Sequence, residues 1–327
     1  MKAVWYERHG TADVLQYGDM PDPQPGPGEV RVRVACSGVN PSDWKSRAGS
    51  GLPMRYPRVI PHQDGSGVID RAGSGAPESR TGERVWLYEA AFGRPHGAAA
   101  EYTVQPATKA VSLPGGVSFA EGACLGVPAM TAHRCVFADG PVTGQTVLVQ
   151  GGAGVVGLYA IQMAKLGGAK VIATVSSDSK SATARSAGAD HTLNYRTEDV
   201  VKRVLDLNGG RRIDRIIEVN FPVNFEMSRL LLDTAHGVSA VYGYGEPDDP
   251  RSDFRVRPAN FAARFVLVYT MPEAAKQAAI EDITRWLEAG KLKHHIGPRF
   301  LLERTADAHR AVEAHVTGRV IVDVWGG

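Results

Sequence analysis

The sequence has few cysteines, little net charge and no long apolar run. Its 327 residues include only 3 cysteines, and no two of them form a C-x-x-C pair. This count predicts neither a disulfide framework nor a structural zinc site, and each cysteine is interpreted as a small buried residue. The formal net charge of +2 provides no strong field for nucleic acid or for an anionic membrane.

No apolar run reaches membrane-spanning length, and the first seven residues are typical of a strand rather than of a signal peptide. Hydrophobic residues make up 43% of the chain and charged residues 22%, which is near the average of globular proteins. The length suits two domains that share an interface. We therefore expect a soluble cytoplasmic protein with no membrane or nucleic-acid partner.

A glycine motif with the spacing G-x-G-x-x-G gives the first functional signal. It lies between a predicted buried strand, residues 146–150, and a predicted helix. The tight turn needs the φ freedom of Gly152, the missing Cβ of Gly154 lets a pyrophosphate approach the helix N-terminus, and Gly157 lets that helix lie close to its strand. The motif predicts a dinucleotide site, with a structural glycine-rich turn as the alternative. Its candidate contacts are Gly152, Ala153, Gly154, Val155 and Val156.

The pattern along the chain predicts an α/β fold with two domains. Up to about residue 118 it is strand-like and broken by turns, and from about residue 120 helices and strands alternate, which is typical of a parallel sheet with right-handed crossovers. The predicted domains are residues 1–119 with 272–327, which are β-rich, and residues 120–271, a doubly wound parallel sheet. Within the second, we predict helices over 131–137, 158–166, 179–187 and 226–233 and strands over 146–150, 170–175, 213–219, 238–242 and 265–269.

The end of the second strand of the parallel sheet predicts which dinucleotide binds. NAD enzymes carry an acidic residue there, which binds the ribose 2′-hydroxyl and repels a 2′-phosphate. This strand ends in Ser176 and Ser177, with Lys180 nearby and Tyr195 after the next strand, so that a 2′-phosphate finds donors and a cation. These residues favour NADPH. Asp178 is compatible with NAD, but we interpret it as the N-cap of the helix that follows.

Further motifs follow one another in an order that points to a known family. They are residues 38–43 (GVNPSD), 60–68 (IPHQDGSGV), 82–85 (GERV), 99–102 (AAEY), 131–133 (TAH), 193–196 (LNYR) and 318–322 (GRVIV). With the glycine turn, they make the chain resemble the medium-chain dehydrogenase/reductase superfamily, and best of all its zinc-free quinone oxidoreductase branch, the zeta-crystallin-like proteins. The resemblance implies a GroES-like substrate domain built from both chain ends, a Rossmann domain between them, and an active-site cleft where they meet. It also implies a homodimer paired through an edge strand, for which residues 265–269 are the candidate.

The same resemblance argues against a metal. Zinc alcohol dehydrogenases carry Cys and His at the positions of Asn40 and Pro41 and Cys at that of Val127, which leaves His62 as the one remaining donor. A catalytic zinc needs about three protein ligands. We predict no metal, and we interpret His62 either as a polar residue of the cleft or as a structural histidine.

The resemblance also names cofactor contacts. It places Ser176, Lys180 and Tyr195 at the adenosine phosphate, and it places around the nicotinamide Asn40, Lys45, Thr131, Asn220, Tyr242, Gly243, Tyr244, Val268, Tyr269 and Thr270. Other interpretations stay open: Asn40 in an Asx turn before Pro41, Thr131 bonded to a helix carbonyl, and Tyr244 and Tyr269 in core or dimer packing. Asn220 departs from the small residues common in the family. Asp43 and Asp64 are interpreted as loop or cap residues.

Hydride transfer to a quinone is the activity that we expect. It creates a weakly basic oxyanion, for which positioning and a hydrogen-bond donor such as Asn40 or His62 are sufficient. One alternative is an NADPH-dependent reductase of alkenals or enones, which needs similar polarisation of a carbonyl. An alternative of another class is a protein that binds NADPH without turnover, as a sensor or a crystallin-like protein, since no residue is an unambiguous catalytic acid.

Overall fold

A computed structural model describes residues 1–49, 53–244 and 260–325. The chain forms two compact units, which we call the first unit (residues 1–127 and 280–327) and the second unit (residues 128–279). The sequence placed these divisions at 119/120 and 271/272. Among the described residues, no helix combines the length and the apolar character that a membrane span requires.

The first part of the chain is mostly strand. Val30, Val32 and Val34 are all buried, as their spacing of two residues along an extended strand predicts. The elements are β1 (Lys2–Trp5), β2 (Gln16–Asp19), β3 (Glu29–Gly38), α1 (Pro41–Ala48), β4 (Asp64–Ala72), β5 (Arg84–Leu87), β6 (Tyr102–Pro106), β7 (Ala110–Ser112) and α2 (Phe119–Gly122).

The second unit alternates helix and strand. Its elements are α3 (Met130–Phe137), β8 (Thr146–Val149), α4 (Val155–Leu166), β9 (Lys170–Val175), α5 (Asp178–Ser186), β10 (His191–Asn194), α6 (Val200–Leu207), β11 (Arg215–Glu218), α7 (Phe221–Leu231), β12 (Val238–Val241) and β13 (Ala262–Phe265). The strands form one parallel sheet in the order β10-β9-β8-β11-β12-β13. The predicted parallel sheet is confirmed, and its strand order reverses between β8 and β11, where doubly wound sheets bind their ligands.

Two helices of the second unit begin earlier than predicted. α4 starts at Val155 rather than at residue 158, and α7 starts at Phe221 rather than at residue 226. Proline is favourable in the first turn of a helix, because the N–H that it lacks has no partner there. Pro222 lies in that turn of α7, which explains the early start.

The predicted strand over residues 265–269 is wrong. β13 ends at Phe265, and Val268–Thr270 is a 3-10 turn. The partner strand β12 ends at Val241, which pairs with Phe265, so the later residues have no strand beside them on that side. An apolar run of five residues does not by itself distinguish a strand from a buried turn.

The C-terminal part returns to the first unit through α8 (Glu273–Glu288), β14 (Ile296–Leu301), α9 (Thr305–Glu313) and β15 (Arg319–Asp323). β15 pairs antiparallel with β3, in a sheet of order β14-β15-β3-β4-β5-β7 with β6 on β3. The core beside it includes Val39, Ile60, Val320 and Val322. Both ends of the chain therefore build the first unit, and this brings Arg319, the first residue of β15, close to residues that end β3 and begin β4.

Candidate functional site

The glycine turn after β8 is built from two different constraints. Gly151 has a φ of 65°, the left-handed region that favours glycine. Gly152 needs to be glycine because a Cβ there would lie 2.7 Å from the Cβ of Ala173 in β9. The predicted φ freedom of Gly152 is therefore wrong: Gly151 turns the chain, and Gly152 allows the turn to lie against the neighbouring strand.

Gly154 and Gly157 differ in what surrounds them. A Cβ on Gly157 would lie 2.5 Å from the Gly151 carbonyl oxygen, so the first turn of α4 lies against the glycine turn only because Gly157 has no side chain. A Cβ on Gly154, the N-cap of α4, would meet nothing nearer than that same oxygen at 3.2 Å. That oxygen is a close contact, but it is the one atom within 4 Å of this Cβ position outside the neighbouring residues, so the rest of the Gly154 face leaves space for a pyrophosphate at the positive end of the helix dipole. Ala153, Val155 and Val156 complete this loop.

The predicted 2′-phosphate residues lie at the adjoining ends of two strands. The Tyr195 N–H donates to the Val175 carbonyl at 3.1 Å, so the residues that follow β9 and β10 are neighbours. Ser176 is buried, Lys180 is partly exposed and Tyr195 is exposed at this edge. The structure therefore brings together Ser176, Ser177, Lys180 and Tyr195.

The N-cap predicted for Asp178 is wrong. Ser177 caps α5: its backbone is extended, with a φ of −165°, and its side chain accepts from the Lys180 N–H. Asp178 is instead the first helical residue and is exposed. A serine hydroxyl one residue earlier serves the same orphan N–H groups.

A buried carboxylate that the sequence analysis missed lies where the strand order reverses. Glu218 ends β11 and is fully buried. It accepts hydrogen bonds from the Asn220 N–H (2.6 Å), Gln150 Nε2 (2.8 Å), Asn224 Nδ2 (2.8 Å) and Ser228 Oγ (3.2 Å). Burial raises the pKa of Glu218, and these bonds oppose the shift. The only sequence signal was an acidic residue near the end of an otherwise apolar strand.

Glu218 thereby orders the loop that carries Asn220. The Asn220 side-chain oxygen Oδ1 is buried and has no hydrogen-bond partner among the described residues. A buried polar atom without a partner is costly. Asn220 Oδ1 therefore fits an amide donor from a bound ligand, such as the carboxamide of a nicotinamide.

The residues predicted around the nicotinamide follow β12 and β13. Gly243 lies so close to the loop after β11 that a Cβ would be 1.7 Å from the Val219 carbonyl oxygen. Tyr242 has its pKa raised by burial, and the Tyr244 hydroxyl donates to the Val266 carbonyl at 2.9 Å. Thr131 lies on α3, which contacts the turn formed by Val268, Tyr269 and Thr270. Most of the residues of the second unit that were predicted to contact the nicotinamide therefore lie beyond the carboxyl edge of the parallel sheet.

Asn40 is the central predicted residue of the first unit. Its N–H donates to Asp43 Oδ2 at 2.7 Å, so Asp43 caps α1 as predicted, and burial raises the pKa of Asp43 to about 7. The Asn40 amide oxygen accepts from Arg319 Nη1 at 2.6 Å, and Nδ2 donates to Asp64 Oδ2 at 2.9 Å. Lys45, on the same helix, lies with its ammonium 5.5 Å from the ring centre of Trp44.

Asp64 is neither a loop nor a cap residue, so that prediction is wrong. It is the fully buried first residue of β4, and its Oδ2 lies 2.5 Å from Arg319 Nη2 while its Oδ1 accepts from the Val127 N–H at 2.8 Å. Burial raises the pKa of Asp64, and Arg319 together with the hydrogen bonds opposes the shift. Arg319 belongs to the motif GRVIV, but the sequence assigns it no role, because its partner lies 255 residues away.

His62 lies inside the first unit. It is fully buried with a φ of 78°, its Nδ1 is 2.7 Å from Ser37 Oγ, and its Nε2 is 3.0 Å from His309 Nε2. Burial lowers the pKa of both rings, that of His309 to about 3. Because both nitrogens of His62 are occupied within the unit, the geometry favours a structural histidine over a donor to substrate.

Comparisons with known proteins agree with this architecture. Family models match residues 26–115 as an alcohol dehydrogenase GroES-like domain and residues 155–288 as a zinc-binding dehydrogenase. A quinone oxidoreductase from Pseudomonas aeruginosa is 30% identical over 97% of this chain and 97% of its own length. A solved NAD-dependent alcohol dehydrogenase superposes with a TM-score of 0.86 at 30% identity (99% of this chain, 100% of that chain). A mycobacterial protein solved with NADPH gives 0.84 at 26% identity, with the same coverage. The predicted GroES-like and Rossmann fold is confirmed.

The name of one family model implies zinc, and the side chains present do not fit a zinc ion. The described residues contain no group of three or more His, Cys, Asp or Glu that could hold a metal. His62 uses both ring nitrogens in bonds to Ser37 and His309. The Asn40 amide is occupied by Asp64 and Arg319. The Arg319 guanidinium already lies beside Asp64, the buried carboxylate that the Asn40 side chain contacts.

Proposed function

Because the chain belongs to the quinone oxidoreductase branch of the medium-chain dehydrogenase/reductase superfamily, we propose that it transfers a hydride from NADPH to a quinone. The observation that carries the proposal is the carboxyl edge of the parallel sheet. Three features lie there on one sheet: the glycine turn, the end of β9 without a carboxylate, and the buried Asn220 oxygen that has no hydrogen-bond partner among the described residues. NADPH supplies the hydride, water supplies a proton, and the quinone becomes a hydroquinone.

The preference for NADPH over NADH rests on this chain's own residues, since the solved relatives include an NAD-dependent enzyme as well as a complex with NADPH. Ser176 and Ser177 place hydroxyls rather than a carboxylate at the end of β9, and Lys180 lies one turn into α5. Charged hydrogen bonds to a phosphate contribute about 1.5–3 kcal/mol each. Asp178, which is exposed and adjacent to Ser177, places a negative charge that opposes a 2′-phosphate.

Titration of the wild type with NADPH and NADH tests the preference. We expect the wild type to bind NADPH more tightly than NADH. A Lys180→Ala variant should lose about tenfold in affinity for NADPH and little in affinity for NADH. An Asp178→Asn variant should gain affinity for NADPH. A wild type that binds NADH more tightly would contradict the cofactor assignment.

In the first unit, we propose that Asn40 donates its remaining Nδ2 hydrogen to the acceptor oxygen. Hydride addition to a quinone places negative charge on an oxygen conjugated with a ring, so one well-placed neutral donor provides useful stabilisation. His62 is not given this role, because both of its ring nitrogens have partners within the unit. The acceptor is a small molecule.

Steady-state oxidation of NADPH with a panel of quinones and a panel of enones tests the reaction. We expect higher kcat/KM for quinones. A preference for enones of about tenfold or more, which corresponds to about 1.4 kcal/mol of transition-state discrimination, would identify the protein as an enone or alkenal reductase instead. Binding of NADPH without oxidation by either panel would favour the non-catalytic sensor or crystallin-like alternative.

We also propose a homodimer formed through the β13 edge of the second unit. Phe265 is 58% exposed and Leu267 49% exposed, and the Phe265 ring stacks on Tyr244 with centroids 5.8 Å apart. An exposed apolar sheet edge is a surface that natural proteins usually cover. Light scattering should give the mass of a dimer, and Phe265→Glu should shift it toward that of the monomer; a monomeric wild type would contradict this proposal.

A further inference from the structure

The amide of Asn40 has its orientation set by two buried charges. Arginine only donates hydrogen bonds, so the atom that meets Arg319 Nη1 is the Asn40 oxygen; an ionised carboxylate only accepts, so the atom that meets Asp64 Oδ2 is the Asn40 nitrogen. In the alternative amide orientation, the Asn40 NH2 group would face the donor Arg319 Nη1, and the Asn40 oxygen would face the acceptor Asp64 Oδ2. One Nδ2 hydrogen is left over after the bond to Asp64.

Arg319 is itself held in place. Its Nη1 also donates to the Val39 carbonyl at 2.8 Å, and its Nη2 donates to Asp64 Oδ2 at 2.5 Å and to the Ala123 carbonyl at 3.3 Å. The guanidinium thus contacts three separate segments of the chain. A planar fork with five donors suits such a position, which a lysine ammonium cannot reproduce.

Two glycines leave the space that this network occupies. A Cβ on Gly38 would lie 2.3 Å from Arg319 Nη2, and a Cβ on Gly126 would lie 2.1 Å from Asp64 Oδ1. Neither glycine has a positive φ. Their requirement for glycine is therefore steric rather than conformational. At Gly126 it comes first from Asp64, and at Gly38 from Arg319 together with the Ala123 carbonyl oxygen, 2.2 Å from the Cβ position.

We infer that Arg319 and Asp64 are positioning residues for reduction of the acceptor, which fix the Asn40 amide so that its second Nδ2 hydrogen meets the acceptor oxygen. The inference rests on the proposed function. Removal of the guanidinium lets the amide rotate, and in the rotated form its oxygen opposes the charge that develops on the acceptor. The loss belongs to the chemical step and not to binding of NADPH, because the glycine turn lies in the other unit.

A double-mutant cycle tests this coupling. Asn40→Ala, Arg319→Met and the double variant are compared with wild type for kcat and KM with a quinone at saturating NADPH, with the Kd of NADPH measured by fluorescence. We expect each single variant to lower kcat by about tenfold or more, and the Kd of NADPH to stay within about twofold in Arg319→Met. Arg319→Met should cause almost no further loss of kcat when Asn40 is already alanine.

The matched control is Arg31→Met. Arg31 is a buried arginine of the first unit that pairs with the partly exposed Asp70 at 2.6 Å, and its loss should lower stability but leave kcat unchanged. If Arg319→Met does not fold, Arg319→Lys replaces it in the cycle. It keeps the positive charge but not the fork, and we expect an intermediate loss of kcat that also disappears in the Asn40→Ala background.

Two results would overturn the inference, and they differ. Independent, multiplicative losses in the double variant of an active enzyme would show that Arg319 does not act through Asn40, while the proposed function stands. A wild type that binds NADPH and reduces no quinone would overturn the proposed function and the inference with it.

Discussion

Acidification should destabilise the first unit through its buried histidine pair, and a His309→Gln variant should lose half of that effect. His62 and His309 are both fully buried, and burial holds the pKa of each below its usual value of 6.5, that of His309 at about 3. A lowered pKa means that the folded chain binds a proton less readily than the unfolded chain. The stability from each neutral ring is therefore complete above pH 6.5 and is lost as the pH falls below it.

The expected size follows from the unfolded chain. At pH 5, a histidine with a pKa of about 6.5 in the unfolded chain gains about 2 kcal/mol from proton binding, and at pH 7.5 it gains about 0.1 kcal/mol. The folded protein gains almost nothing at pH 5, because His309 titrates near 3. His309 alone should thus cost about 2 kcal/mol of unfolding free energy between pH 7.5 and pH 5, and the pair about twice that.

Urea unfolding at these two pH values measures the effect. All five tryptophans, at positions 5, 44, 86, 286 and 325, belong to the first unit, so their fluorescence follows that unit selectively. Subtraction of the His309→Gln data from the wild-type data cancels other titrating groups, such as Asp43 and Asp64, to first order. Glutamine still offers His62 a hydrogen-bond partner.

The difference in unfolding free energy between wild type and variant should shift by about 2 kcal/mol on going from pH 7.5 to 5. His315→Gln, at an exposed position, is the matched control for replacement of a histidine by glutamine. An equal pH dependence of wild type and His309→Gln would refute the reasoning.

Three further outcomes follow from the two sites. Gly157→Ala should lower the stability of the second unit by about 1–3 kcal/mol in thermal unfolding, because the new Cβ meets a backbone oxygen. Gly154→Ala should fold normally and weaken NADPH binding by about tenfold or more in calorimetry. If the two variants had equal effects in both measurements, the difference in surroundings between the two glycines would not explain their roles. In urea unfolding, Asp64→Asn should cost about 3–5 kcal/mol, because it leaves the Arg319 guanidinium buried and unpaired, and Glu218→Gln only about 1–3 kcal/mol; the reverse order would count against the ion pair. Dialysis against a chelator should leave turnover unchanged. If dialysis abolished activity and added zinc restored it, the conclusion that the side chains present do not fit a zinc ion would be wrong.

The parallel sheet could be predicted because its signals are local. Most strands and helices of the second unit are marked by their own periodicity and by the glycines and prolines beside them, although no helix was predicted at α6. Alternation of the two elements implies the crossovers. Local signals failed where the outcome depends on a neighbour. The run 265–269 looks like a strand, but the structure turns there because β12 has already ended at Val241. Similarly, Ser177 competes with Asp178 for one cap, and periodicity does not decide between adjacent candidates.

The polar centres were harder to predict for a different reason. Arg319 meets Asp64 across 255 residues, and Glu218 meets Gln150 across 68, distances over which a single sequence carries no pairing signal. Asn40 was recognisable from the motif GVNPSD, and Asn220 was placed only by the family resemblance. The residues that hold them were not, because an arginine at the start of a strand and a glutamate at its end are ordinary by composition.

The two asparagines are nevertheless held by a common physical device. In each unit a buried carboxylate at a strand end, Asp64 or Glu218, accepts an N–H of an asparagine that is proposed to meet a ligand. The devices differ in charge. Asp64 is compensated by Arg319, whereas Glu218 is surrounded by neutral donors. A paired charge resists rotation of its neighbours more strongly than neutral bonds do. The donor proposed to act in the chemical step is therefore the one that is held by the ion pair, and the asparagine proposed to bind the cofactor is held by the weaker, neutral network.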